Sequence, residues 1–161
     1  MCQGCVSLVA ALTPTLKVCN LHKVKSTRFA IGVHILTALA TRKGSAVPSE
    51  VLASSVNTNP AFIRQVLVEL RRAGFVDSRL GKGGGAVLAR PPRSIRLDEV
   101  YRATASGPTV ALHRTRPDQN CVVGRNIQPL LGKVLGRAEA ALLKELHRVS
   151  VADLVTEIQA S

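Results

Sequence analysis

The chain is expected to be mainly α-helical, with one small β-hairpin and a long helix near its C-terminus. Three observations carry that expectation. Between Thr27 and Leu70, apolar residues recur at helical spacing in three successive stretches. Two short alternating stretches then flank the run Gly81-Lys82-Gly83-Gly84-Gly85, the pattern of a hairpin. From Asn126 an apolar stripe runs for about 23 residues through Leu131, Val134, Leu135, Ala138, Leu142, Leu146 and Val149. The 161 residues suffice for one domain with an appended helix, and for a core that needs no disulfides.

Each element has a local reason. Phe29, Val33, Leu36, Leu39 and Ala40 make residues 27–41 an amphipathic helix. Arg42-Lys43-Gly44 ends it, with basic residues and then glycine. Pro48-Ser49-Glu50 opens a second helix, with Ser49 as the expected N-cap and Leu52, Ala53 and Val56 as the apolar face. Asn59 caps a third helix, and Pro60 fits its first position, where a missing N–H costs nothing. Phe62, Ile63, Val66, Leu67 and Leu70 form its buried stripe, and Gly74 terminates it. Phe75 to Leu80 alternates as a strand, and Ala86 to Ala89 returns beside it. Arg90-Pro91-Pro92-Arg93 is a rigid connector. A short helix is expected over 97–104 and irregular chain over 106–124, which contains Gly107-Pro108 and Pro117. Ser150-Val151-Ala152-Asp153 is a capping-box start for a last helix.

The formal net charge is +12, from 22 Lys and Arg against 10 Asp and Glu. It is concentrated. Residues 25–96 hold 12 basic and 3 acidic side chains, whereas residues 97–161 hold 8 and 7. Such a field suits nucleic acid, acidic partners or an anionic membrane surface. Aromatic residues amount to 2%, with no Trp and one Tyr, which argues against modules that stack bases on aromatic platforms. At 46% hydrophobic the chain is no disordered basic tail. No apolar run approaches the roughly 18 residues of a spanning helix, so no membrane-spanning segment is expected, and the expected partners include no membrane. His22, His34, His113 and His147 lie in no nucleophile–base arrangement, so no catalytic role is expected.

Residues 49–73 read as two helices joined by a tight turn, a helix-turn-helix. In such a unit the second helix enters the major groove with its N-terminal residues at the base edges. Here those are Asn59, Ala61, Arg64 and Gln65, with Thr58 just before them. Arg64 suits guanine O6 and N7, and Gln65 suits adenine. On this segment alone an ordinary helical hairpin with a solvated face fits equally well. The following hairpin shifts the balance. A glycine-rich tip carrying Arg79, Lys82, Gly83 and Gly84 suits a wing, because glycine lets the backbone approach the sugar-phosphate closely. Arg79 or Lys82 suits the negative minor groove. The combined pattern is a winged helix-turn-helix binding double-stranded DNA.

These motifs resemble a known family. Ser26-Thr27-Arg28-Phe29-Ala30 is similar to the start of the Rrf-type repressors. That family of winged helix-turn-helix regulators includes the iron–sulfur-cluster regulator, the nitric-oxide-sensitive repressor and the cysteine-metabolism repressor. The specific part is Leu70-Arg71-Arg72-Ala73-Gly74-Phe75-Val76 followed by the glycine run. Leu88-Ala89-Arg90-Pro91-Pro92, Ile95-Arg96-Leu97-Asp98-Glu99-Val100 and Ser150-Val151-Ala152-Asp153-Leu154 continue it, so the resemblance covers about residues 25–161. It implies a bacterial, homodimeric repressor of a palindromic operator, with Arg28 joining the DNA-binding set; a cytoplasmic location is expected from the poor disulfide framework of Cys2, Cys5, Cys19 and Cys121. It also implies that Leu131, Val134, Leu135, Ala138, Leu142 and Leu146 pack against a partner subunit; the stripe by itself suits an intrachain core equally.

There are departures. Cluster-binding members carry three cysteines before the long helix, and this chain has Cys121 alone there. An iron–sulfur cofactor in the usual manner is therefore not expected, and the resemblance is to a single-cysteine branch. The family's frequent acid at the Arg64 position is replaced by a base, and its frequent wing arginine corresponds to Leu80. Cys121 is a sensor candidate for an oxidant or small-molecule inducer, its thiol pKa lowered by His113, Arg114, Arg116 and Arg125 nearby in sequence. The bland alternative is a buried structural cysteine.

Residues 1–24 are expected to be a disordered extension or to follow a start codon assigned too early. Cys2, Cys5, Cys19 and His22 there have the spacing of a zinc site without the surrounding pattern of one. The resulting division is 1–24 as extension, 25–90 as the DNA-binding domain, 91–125 as linker helix and sensor loop, and 126–161 as dimerisation helices. A metal or redox sensor with DNA binding as output, and a winged-helix interaction module without DNA, stand as alternatives.

Overall fold

The computed structural model describes residues 25–42, 44–81, 83–105, 107 and 110–161, with backbone only at 25 and 26. Helix α1, Lys25–Thr41, is the centre of the packing. It is apolar on more than one side, so it buries Ile35, Leu36 and Leu39 while α2 (Ser49–Val56), α3 (Pro60–Arg72), α4 (Leu97–Thr104) and α6 (Val151–Ala160) surround it. Its one buried hydroxyl, Thr37, donates to the Val33 carbonyl at 2.9 Å. Gly32 admits α4: a Cβ there would sit 3.2 Å from Thr104 Cγ2.

Helix α2, Ser49–Val56, buries Leu52 and Ala53. Its N-cap is Pro48, not the expected Ser49; Ser49 is the first helical residue and its hydroxyl turns to Glu50 instead. Asn57 in the left-handed region (φ 56°) ends the helix and makes the tight turn. Helix α3, Pro60–Arg72, starts as expected. The Asn59 side chain accepts from the Ala61 N–H at 2.8 Å and Pro60 occupies the first position. Ile63, Val66 and Leu70 are buried, with Phe62 and Leu67 at the edges of the stripe. Gly74 (φ 72°) closes the helix, with Phe75 N–H donating back to the Leu70 carbonyl at 3.0 Å. The buried Phe75 ring then locks the exit.

Strands β1, Val76–Arg79, and β2, Gly85–Leu88, pair antiparallel with Val76 opposite Leu88 and Arg79 opposite Gly85. Gly85 thus belongs to the return strand, not to the tip. The reason is tertiary. Val47, just before α2, exchanges backbone hydrogen bonds with Ala86, both at 2.9 Å, and a Cβ at Gly85 would fall 2.4 Å from the Val47 carbonyl. The hairpin is thereby tied to the start of the helix-turn-helix.

A 3₁₀ turn, Pro92–Ser94, leads to α4, Leu97–Thr104, as expected. Helix α5, Val122–Arg148, begins four residues before the expected Asn126 and continues through Pro129. It holds no buried residue, and its C-terminal part packs on α4. Helix α6, Val151–Ala160, returns to α1. Its capping box is present: Ser150 N–H donates to Asp153 Oδ2 at 2.8 Å and Asp153 N–H to Ser150 Oγ at 3.3 Å. Leu97 N–H to the Val149 carbonyl and Val151 N–H to the Ile95 carbonyl, both 3.0 Å, fasten the α5–α6 junction to the start of α4. Among the described residues no helix is long and apolar enough to cross a membrane.

Candidate nucleic-acid interface

The exposed face of α3 is laid out from its N-terminus by the cap and the proline. Asn59, Ala61, Arg64 and Gln65 are all exposed there, and Thr58 is half-buried. The structure therefore brings the predicted base-facing residues onto one surface. It also shows what already engages them. Asn59 has its side-chain oxygen on the cap. Arg64 donates from Nη2 to Glu50 Oε1 at 2.5 Å and from Nε to Ser49 Oγ at 3.2 Å, so α2 tethers it. The carboxyl of Glu50 is held below its usual pKa by its own backbone N–H, and further by Arg64 and Ser49.

Arg28 does not stand on the outer face. It is half-buried between α1 and α3, ion-paired to Glu69, 3.5 Å from Gln65 Oε1 and over the Phe62 ring at 5.3 Å. Its place suits buttressing of α3 rather than a direct contact. Two of the three acids in the basic segment, Glu50 and Glu69, thus hold the cations that flank the recognition helix. Spacing gave no sign of either pair, because the partners lie 14 and 41 residues apart.

On the hairpin, Arg79 is exposed at the end of β1. Lys82 lies outside the described residues. Gly83 (φ 80°) is exposed at the tip. Gly84 serves the turn itself: its N–H donates to the Gly81 carbonyl at 2.9 Å, and a Cβ would lie 2.4 Å from the Arg79 carbonyl oxygen. Leu80 is 97% exposed beside this tip.

Cys121 is an exposed free thiol at the N-cap of α5, not a buried structural residue. Its pKa is lowered from the ordinary 9.0 by the backbone N–H groups of Gly124 first and Val123 second. The cause is the helix terminus, in place of the neighbouring cations that the sequence suggested. Cys2, Cys5, Cys19 and His22 lie outside the described residues.

The stripe of α5 divides. Leu146 joins the core with Val149. Leu135, Ala138 and Leu142 line an open apolar groove of 520 Å³ with Val110 and Leu112 of the preceding loop. Val134 is 51% exposed, and Leu131 is half-buried. Within the chain the stripe belongs to the core only at its C-terminal end.

The Rrf2 family model, whose description is iron-dependent transcriptional regulator, matches residues 25–157. YwnA of Bacillus subtilis is 32% identical over 133 residues, covering 83% of this chain and 98% of its own length. The HTH-type transcriptional regulator IscR of Cereibacter sphaeroides is 30% identical over 129 residues, covering 80% and 83%. A solved transcriptional-regulator structure from Lactobacillus plantarum superposes with a TM-score of 0.71 at 28% identity, covering 82% of this chain and 89% of that one. With a winged helix-turn-helix, a long trailing helix and matches of this extent, the chain belongs to the Rrf2 family of transcriptional regulators.

Proposed function

We propose that this chain is a homodimeric, sequence-specific binder of double-stranded DNA that represses transcription from a palindromic operator. The observation that carries it is the helix-turn-helix with an exposed α3 N-terminus, followed directly by the hairpin, all within the basic segment 25–96. Helix α3 enters the major groove, with Arg64 and Gln65 at base edges and Asn59 and Ala61 beside them. Arg79, Lys82, Gly83 and Gly84 follow the adjacent sugar-phosphate. Dimerisation is supported by α5, 27 residues without one buried side chain. The part of its stripe ahead of the packed last turns lies in an open groove and needs a partner, and a two-fold axis turns two recognition helices into a reader of a palindrome.

Footprinting of promoter fragments, the chain's own upstream region included, tests this. A protected inverted repeat is expected. Affinity should fall by about three decades or more between 50 and 200 mM salt for six or more phosphate contacts. Absence of protection on every fragment would favour the interaction-module reading.

The signal is assigned to Cys121. An exposed thiol with a lowered pKa reacts as thiolate with hydrogen peroxide: an S–O bond forms as the O–O bond breaks, giving a sulfenic acid and hydroxide, which takes a proton from solvent to become water. Its place at the start of α5 couples that change to the dimer helix. Peroxide or diamide should weaken operator binding, and Cys121→Ser should abolish the response; a serine variant that responds like wild type sinks the assignment. An iron–sulfur cluster takes several cysteine ligands. Among the described residues Cys121 is the one cysteine, and no three His, Cys, Asp or Glu side chains converge. The described residues supply that single thiol, so the proposed response is written on Cys121 without a resident cofactor.

A further inference from the structure

Ser49, Glu50 and Arg64 form a closed triangle across the helix-turn-helix. Arg64 donates from Nε to Ser49 and from Nη2 to Glu50, and the Ser49 hydroxyl donates to Glu50 Oε1 at 3.2 Å. A guanidinium is a rigid planar fork, so fixing one edge fixes the direction of the other. Here the side-on edge, Nε and Nη2, is held by the protein. The end-on edge, Nη1 with the second hydrogen of Nη2, meets no acceptor among the described residues. That edge is one of the two that match guanine O6 and N7. Both side chains of the ion pair are 59% exposed, so the pair is screened and contributes little stability. Its consequence is orientation.

We propose that Ser49 and Glu50 are positioning residues for base recognition: from α2 they aim the end-on edge of Arg64 at a guanine in the major groove. This rests on the DNA-binding reading above and adds that the guanine preference depends on residues outside the recognition helix. An arginine already held in place loses less side-chain freedom on contact than one that is free. The carboxylate of Glu50 stays ionised because its own N–H and the first turn of α2 stabilise the charge.

The test uses the full chain and a panel of operators in which each protected base pair is replaced in turn. Arg64→Ala should lose a guanine preference at one position of each half-site. Glu50→Ala should lower that preference about tenfold. Glu50→Gln, which keeps an acceptor oxygen without the charge, and Ser49→Ala should lower it less. Glu50→Ala added to Arg64→Ala should change the base preferences no further. An unchanged preference in Glu50→Ala overturns the proposal. So does tighter binding to every sequence with the preference intact, since Glu50 would then only mask the charge of Arg64. A wild type that selects sequences without using Arg64 overturns the positioning role alone, whereas a wild type that selects no sequence overturns the functional reading with it.

Discussion

At Arg64 and Lys82 the same charge should act in two ways. Arg64→Ala should relax selection at one base pair, costing about 1–3 kcal/mol there, whereas Lys82→Ala should weaken all sequences alike and reduce the salt slope by about one. Competition binding on matched and mismatched duplexes separates the two outcomes. Gly85 is a residue whose role is steric. Alanine there drives a Cβ into the Val47 backbone, so Gly85→Ala should destabilise the chain by about 1–3 kcal/mol in chemical denaturation, whereas Gly83→Ala meets no neighbour within 4 Å and is strained only by its positive φ. The exposed place of Arg64 near the start of α3 was legible because its position after Asn59-Pro60 is local information. Its tether to Glu50 was not, because the pair exists only once α2 and α3 cross.

At the scale of elements, the clearest boundaries have one local cause each. Asn59 and Pro60 set the start of α3, and Gly74 sets its end, so both were readable from residue types alone. Asn59→Ala should cost about 1 kcal/mol and lower the melting temperature by roughly 2–4 °C. The α6 box adds a pH dependence. The Ser150 N–H and hydroxyl hold Asp153 below its ordinary 3.8, so the ionised carboxylate favours the folded chain above that value. The contribution fades as pH falls through the lowered folded-state value. Wild type should therefore melt above Asp153→Asn at pH 6, with the gap closing below pH 4. Helix α5 begins ahead of the expected Asn126 although Val122-Val123-Gly124 are poor helix formers. Asp118 lies over the first turn so closely that a Cβ on Gly124 would fall 2.1 Å from its carbonyl oxygen. Proline in the third turn removes one internal hydrogen bond and does not end the helix.

For the whole molecule, the distribution of charge and apolar surface separates two tasks. The basic segment folds around α1 and shares one core with α4 and α6, and α5 joins that core only through its last turns. Leu135→Arg places a cation in the apolar groove with Leu142 and Val110, away from that core. It should shift sedimentation from dimer to monomer and weaken operator binding, while the melting transition of the remaining fold persists. A variant that stays dimeric places the interface elsewhere.

The sequence by itself determined the element order, the caps of α3 and α6, and the concentration of charge in residues 25–96. Each of these depends on residue type at short spacing, which chain chemistry settles locally. Only the tertiary structure decided that Arg28 pairs with Glu69 of α3, that α2 tethers Arg64, that Gly85 serves the contact with Val47, and that the stripe of α5 stays open ahead of its packed last turns. Those outcomes depend on the angles and distances at which separate elements meet, and no spacing along the chain encodes them.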